Sequence, residues 1–293
     1  MEDTYSERFC GRTFHQDEIA EINEIASSCQ GLSRTELANT VCELFSWRRP
    51  TDRLKTVECR QFLEYLESKG VINLPPRKGS SPAGKKGRIS RTHEADMQPP
   101  ITGKAGQFSP ILLTRVTTST QRDLWYEYID RYHYLGYHLP FGAQLRYFIE
   151  SADTLLGCLQ FSSPAWKMAP RDQWISWSDE QRKRNLQKII NNSRFLLFPW
   201  VRIKNLASSV LALAARQVPG DWQACYQYRP VLMETLVDKS RFKGICYQAA
   251  NWVHVGTTTG RGRMDRHTQY KGQAPKEIYV YPLTRRFREE LLA

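Results

Sequence analysis

Apolar positions recur along this chain in two rhythms, and the change from one to the other divides it. From 17 to 75 the period is helical. Ile19, Ile22, Ile25 and Ala26 share one face of a helix that Asp17 is placed to cap, and Leu37, Val41, Leu44 and Phe45 make the stripe of a second. Cys59, Phe62, Leu63 and Leu66 follow at i, i+3, i+4 and i+7 in a third helix that stops at Gly70. The second helix opens on Ser33-Arg34-Thr35-Glu36. This is a capping box: the Ser hydroxyl accepts from the backbone N–H three residues on, and the Glu reaches back to the cap. With the extended piece 71–75 behind the third helix, the order predicts a winged-helix-like module over 1–75.

Residues 76–107 lose both rhythms. Pro76, Gly79, Ser80, Ser81, Pro82, Gly84, Pro99 and Pro100 are interleaved with Lys78, Lys85, Lys86 and Arg88. So little apolar area cannot offset chain entropy, and the stretch reads as a flexible basic linker. From 108 to 293 strand and helix patterns mix. Residues 144–150 and 155–161 alternate as strands around Ser151-Ala152-Asp153-Thr154, a hairpin, and a charged helix spans 179–191. A buried strand at 195–201, an apolar helix at 206–217, a strand at 231–237 interrupted by Glu234, a helix at 241–255 and a last strand at 278–283 complete the pattern. The expected fold class is α/β (α+β), with a mixed sheet in the large domain.

With 41% hydrophobic and 12% aromatic residues in 293, the chain can bury a substantial core. No apolar run approaches the length of about 18 residues that a membrane span needs, and Met1-Glu2-Asp3 is unlike a signal peptide, so a soluble cytoplasmic protein is expected. The seven cysteines, Cys10, Cys29, Cys42, Cys59, Cys158, Cys225 and Cys246, are odd in number and lack Cys-x-x-Cys spacing, which fits neither a disulfide framework nor a zinc finger. The net charge of +12 is uneven: −4 over 1–75, +4 over 76–100 and +12 over 101–293. A basic linker and a basic large domain favour a polyanion, and DNA is the expected partner. Arg48, Arg49, Arg53, Lys55 and Arg60 lie at the start of the third, recognition-type helix, Lys85 and Lys86 in the linker, and Arg261 and Arg263 in the Gly- and Thr-rich loop 256–263.

Chemistry has fewer candidates. His133 follows a helix and precedes Gly136, at a place where an imidazole can serve as a base. Glu234 interrupts an apolar strand, so it either holds a buried partner such as Arg194 or carries a raised pKa useful in proton transfer. Lys204, Asn205, Ala207 and Ser208 stand between a strand and an apolar helix, where backbone N–H groups receive a phosphate, and Asn205 is also a plain N-cap. No metal-ligand spacing is present; Asp172, Glu234, Asp238 and Asp265 are the carboxylates a two-metal site would need.

Several of these stretches together carry a resemblance. Tyr132-His133-Tyr134-Leu135-Gly136, Trp174-Ile175-Ser176-Trp177-Ser178, Asn192-Ser193-Arg194-Phe195-Leu196, Pro199-Trp200-Val201, Asn205-Leu206-Ala207-Ser208, Glu234-Thr235-Leu236-Val237-Asp238, and 247–256 with its Asn251, Trp252 and Gly256 occur in an order that resembles the Druantia anti-phage defence protein A family. The element order also resembles the Gcn5-related acetyltransferase fold. The first resemblance implies anti-phage defence and a helicase-like partner, beside the DNA binding expected from the charge. The second implies an acyl-coenzyme A dependent transferase acting on nucleic acid or protein, with the thioester on the 204–208 turn, His133 or Glu234 as base and Tyr247 as acid. The glycines of that fold's phosphate turn are replaced here by Asn, Leu, Ala and Ser. A metal-dependent nuclease or transposase-like enzyme is the third alternative.

Overall fold

The computed structural model describes residues 6–28, 33–45, 47–51, 54–75, 89–137, 142–152, 154–165, 167–258 and 275–293. Met1–Gly84, Phe141–Ala143 and Trp222–Tyr228 form one compact unit, and Lys85–Pro140, Gln144–Asp221 and Arg229–Ala293 form a second.

The first unit opens with an antiparallel pair, β1 (Ser6–Phe9) and β2 (Arg12–His15), and continues with α1 (Gln16–Ser28), α2 (Arg34–Leu44) and α3 (Thr56–Ser68). Of the periodic positions, Ile19, Ile22, Ile25, Ala26, Leu37, Val41, Cys59, Phe62, Leu63 and Leu66 are buried and Phe45 is half-buried, while the Leu44 side chain lies outside what is described. The capping box at α2 forms, with Glu36 N–H donating to Ser33 Oγ at 3.2 Å and Ser33 N–H to Glu36 Oε2 at 2.9 Å. Phe14 of β2 stacks on Phe62 at 4.2 Å and meets the edge of Trp47 at 4.9 Å, so aromatic packing centres this small core. The expected wing at 71–75 forms no strand. Ile72 and Leu74 bury against the helices instead, and Arg34 Nε ties the end of the segment through Pro75 O at 2.9 Å.

The second unit begins inside the expected linker. Thr92 donates twice to the Glu127 carboxylate, at 2.6 and 2.8 Å, and β3 (Ile101–Lys104) adds in parallel to β8 (Val201–Lys204). Polar contacts and a backbone ladder order 89–107, which an estimate from apolar content alone overlooks. Of the expected linker, 76–88, with Lys85 and Lys86, lies outside the described residues.

In chain order this unit then runs β4 (Ile111–Arg115), α4 (Ser119–Tyr132), β5 (Gln144–Ser151), β6 (Thr154–Ser162), α5 (Ala169–Ile175), α6 (Asp179–Asn185) and β7 (Ile189–Leu197). After β8 come α7 (Leu206–Tyr226), β9 (Leu232–Asp238), α8 (Ile245–Ala249), β10 (Val253–Thr257), β11 (Lys276–Pro282) and α9 (Phe287–Leu292). Seven strands make one mixed sheet in the order β10-β11-β9-β7-β6-β5-β4, antiparallel throughout except for β7 beside β9. The β5–β6 hairpin turns where expected, with Ser151 opposite Thr154.

Three boundaries differ from the sequence expectation. The charged helix stops at Asn185, and β7 starts at Ile189, because Ile189 and Ile190 are fully buried beside β9. The apolar helix passes through Pro219 to Tyr226: buried Val210, Ala214, Val218 and Trp222 continue its stripe, and packing outweighs the one backbone bond a proline removes. The 241–255 helix is only five residues long, since Val253–Thr257 pairs with β11 as β10. Gly256 stands at a bulge there with φ +138°, and a Cβ would lie 2.8 Å from Pro170, so no other residue fits without displacement. Among the described residues no helix is long and apolar enough to cross a membrane.

Candidate functional site: a cleft where two parallel strands part

β7 and β9 share only three pairs, Ile189↔Leu232, Ile190↔Met233 and Asn191↔Glu234. Beyond them the strands run on to Leu197 and Asp238 without a common ladder. The cause lies on the other edge of β7. Its register with β6 shifts so that Phe161 faces Asn192 and Gln160 faces Arg194, leaving Ser193 as an extra residue. Such a bulge bends and twists a strand, and here it turns β7 away from β9. The Asn192 side chain holds the bulge, its Nδ2 donating to Gln160 O and to Arg194 O at 3.1 Å each.

A buried ion pair secures the point of divergence. Glu234, opposite Asn191 at the last shared pair, accepts from Arg171 Nη1 at 2.8 Å and from Ala165 N–H at 3.0 Å, and both charged side chains are 0% exposed. Arg171 also binds Asp172 at 2.8 Å. The partner of Glu234 is therefore Arg171 and not Arg194, because the helix that carries Arg171 packs where β9 enters the sheet. Committed to this pair, Glu234 is no base for the cleft. Asp172 and Glu234 likewise converge on a guanidinium, and among the described residues no group of three or more His, Cys, Asp or Glu is placed to hold a metal ion. Asp265 lies outside the described residues.

The opening is a cavity of about 430 Å³, within the range of small-molecule sites. One wall is β7, from Asn192 to Leu197, with Pro199 beyond it; another is β9, from Thr235 to Asp238; Tyr132, His133, Tyr134 and Leu135 at the end of α4 and Phe242, Gly244, Cys246 and Tyr247 around α8 close it. Gly244 caps α8 at φ +69°, and a Cβ there would collide with Tyr279 Oη. Tyr247 Oη donates to Asn192 Oδ1 at 2.8 Å, and Thr235 Oγ1 donates to Asn192 O at 3.1 Å, so the floor is a hydrogen-bonded polar cluster in an apolar cavity. Burial holds the Tyr247 phenol above its ordinary range, and it stays protonated near neutral pH.

At the mouth the character changes. Phe242 is 50% exposed and lies 5.4 Å from the Tyr134 ring, Arg241 sits over the same ring at 5.2 Å, and exposed Lys243 follows. The turn that presents them is tied by Asp238, which accepts from Ser240 Oγ at 2.6 Å and Ser240 N–H at 3.0 Å; the Ser240 hydroxyl is the main reason its carboxyl lies below the usual range. Ile245 adds a further exposed apolar side chain.

His133 stacks on Tyr134 at 4.9 Å. Burial, with the Arg194 charge beside it, pushes the His133 imidazole down to about 4. It is neutral at pH 7, an acceptor more than a strong base. The unfolded imidazole titrates near 6.5, so as pH falls the unfolded chain takes up the proton first. This part of the stability is complete above about pH 6.5 and is lost between there and about pH 4. Thermal melts should show a steeper loss of Tm from pH 6.5 to 4.5 in the native chain than in His133→Gln. A parallel pH dependence in both would disprove the assignment.

The remaining predicted residues are dispersed. Lys204, Asn205, Ala207 and Ser208 stand at the end of β8 and the start of α7, and none lines the cleft. Asn205 adopts φ +66°, and its carbonyl receives Ser209 N–H and Ser208 Oγ at 3.1 Å each. Trp252 is buried against Tyr247 at 5.1 Å, and Asn251 is exposed at φ +61° in the turn before β10. In the first unit Arg49 pairs with Glu58 at 2.8 Å, Lys55 donates to Cys10 O at 2.9 Å, Arg48 bridges to Leu54, and Arg60 is exposed on α3. Arg53, Arg261 and Arg263 lie outside the described residues. Phe242, Arg241 and Asn192 were missed as site residues; Phe242 between Arg241 and Lys243 was the available signal.

The family model of Druantia protein DruA matches residues 65–274, which include every residue named in the cleft. The chain belongs to this family. Membership in the DruA family places it in anti-phage defence. A search of curated proteins finds no match. The fold is similar to solved acetyltransferases: spermidine/spermine N-acetyltransferase SpeG from Vibrio cholerae (9% identity, 62% of this chain, 98% of that one, TM-score 0.39) and a probable GNAT-family acetyltransferase from Chromobacterium violaceum (13%, 71%, 97%, 0.36). An acetyltransferase from Bacillus subtilis in complex with CoA is similar at 10% identity over 59% of this chain and 98% of that one, TM-score 0.34. What this DruA family member does must therefore be argued from its own residues.

Proposed function

We propose that this DruA family protein binds DNA in anti-phage defence, in the cytoplasm and together with a helicase-like partner, and that the mouth of the β7–β9 cleft is its contact surface for single-stranded DNA. The observation that carries the assignment is the half-exposed Phe242, set against Tyr134 with Arg241 over the ring and Lys243 beside it. Bases stack on exposed rings regardless of sequence, while adjacent cations track the backbone. The net charge of +12 supports the same partner. Fluorescence anisotropy with labelled single-stranded, forked and duplex DNA across a salt series tests it. Single-stranded and forked DNA should bind more tightly than duplex, with log K falling by about 0.7 per phosphate for each unit of log salt. Equal, weak binding to all three would reject the surface.

Acyl transfer keeps one observation in its favour, the buried, protonated Tyr247 in the wall of the cleft. Against it, the 204–208 turn that would hold the pyrophosphate contributes nothing to the cleft lining, and Glu234 is taken up by Arg171. A rise in Tm with acetyl coenzyme A that Tyr247→Phe preserves and Asn205→Asp removes would restore that alternative.

A further inference from the structure

Beside the aromatic mouth of the cleft the sheet carries two further cations. Arg146, Gln160 and Arg194 stand opposite one another on β5, β6 and β7, in a single row across the sheet. Strand spacing puts the two arginine Cα atoms about 10 Å apart. Gln160 between them is 1% exposed; its Nε2 donates to Gln144 Oε1 at 2.9 Å, and Arg146 Nη2 donates to the same oxygen at 2.6 Å. Arg194 Nη1 donates to Ser193 O at 2.7 Å. Arg146 Nε and the Ser193 hydroxyl are buried without a hydrogen-bond partner among the described residues.

Aromatic rings close over the row. Arg146 lies 5.1 Å from the Tyr126 ring and 5.8 Å from Trp125, and Tyr126 stacks on Tyr137 at 4.1 Å; burial lowers the Arg194 pKa, with Tyr134 and Tyr137 acting in the opposite sense. No carboxylate pairs with either guanidinium among the described residues. Three other shielded arginines of this unit pair with carboxylates, Arg171 with Glu234 and Asp172, Arg131 with Glu127 and Asp96, and Arg182 with Asp179, while Arg288 donates to the carbonyls of Trp174 and Ile175. A shielded guanidinium without a counter-charge is costly, and two of them in one row, with no carboxylate partner among the described residues, suit an anion supplied from outside.

We propose that Arg194 and Arg146 form a phosphate-binding site beside the cleft that holds the phosphate of a nucleotide, with Tyr134 and Tyr137 bounding the sugar and base. The site supplies two fork-shaped donors, and Arg194 stands next to His133, whose ring reports the local charge. As a nucleotide site it rests on the DNA-binding assignment above.

The test uses the whole chain with inorganic phosphate, thymidine 5′-monophosphate and thymidine as probes. The readouts are Tm and the His133 imidazole titration by NMR. Phosphate and the monophosphate should raise Tm and move the His133 titration upward from about 4, since a bound anion offsets the Arg194 charge, and thymidine should do neither. Arg194→Gln and Arg146→Gln should each weaken the monophosphate at least tenfold, and Arg194→Lys, which keeps charge without the fork, should fall between. An unmoved His133 and Tm with both phosphate probes, or an undiminished effect in Arg194→Gln that still melts cooperatively, overturns the site. Single-stranded DNA binding equally to the native chain and to Arg194→Gln defeats the site and leaves the DNA assignment standing. Phosphate moving His133 while no DNA binds defeats the DNA assignment, and with it the nucleotide.

Discussion

Arg171→Met should lower the unfolding free energy by about 3–5 kcal/mol, the usual cost of leaving one half of a buried ion pair without its partner. Glu234 is then a fully buried carboxylate with one backbone donor, Ala165 N–H at 3.0 Å. A buried carboxylate without its counter-charge is disfavoured in its ionised form, so the loss should be greatest at neutral pH and shrink in acid. Arg171→Met with Glu234→Gln should regain most of the stability, because a neutral amide at that point needs no counter-charge. Urea denaturation of the native chain, the single variant and the double variant at pH 5 and 8 provides the check. A single variant as stable as the native chain would mean that the pair does not secure the strand fork. The functional consequence is specific: Glu234 stands at the last β7–β9 pair, so loosening it should widen the cleft before the rest of the sheet fails.

Phe242→Ala with Tyr134→Ala should weaken single-stranded DNA binding by roughly 100-fold, taking about 1–3 kcal/mol for each stacked base. Phe242 is half-exposed, so its own replacement should change Tm little, which separates lost contact from lost fold. Arg241→Gln should act differently, reducing affinity and flattening the salt dependence together. Anisotropy on the four proteins over a salt series measures both effects. Unchanged affinity in the double aromatic variant would remove the cleft mouth from DNA recognition and return attention to α3 and its exposed Arg60.

The candidate site was only partly legible in the sequence, for identifiable reasons. Glu234 was visible as a charge in an apolar strand, but its partner was misplaced, because Arg171 is 63 residues away and only the packing of α5 brings the two together. Tyr247, His133 and Arg194 were visible as unusual residues in separate segments, and β7, the post-α4 turn and α8 are what gather them. Phe242 was overlooked because one aromatic in a polar turn has no periodicity to mark it. The 204–208 turn looked like a phosphate site locally, yet β8 carries it away from the cleft by pairing with β3, a strand hidden in apparent linker.

Local physics explains which features could be inferred directly. The capping box at Ser33 and Glu36, the buried helical stripes of the first unit and the β5–β6 hairpin depend on residues within a few positions of one another, and each formed as its pattern required. The strand fork, the bulge at Ser193, the Arg171–Glu234 pair and the Arg146–Arg194 row depend on strands whose neighbours are distant in the chain. Pairing partners are selected by the burial of whole faces, and that energy is a property of the assembled sheet, so no window of sequence contains it.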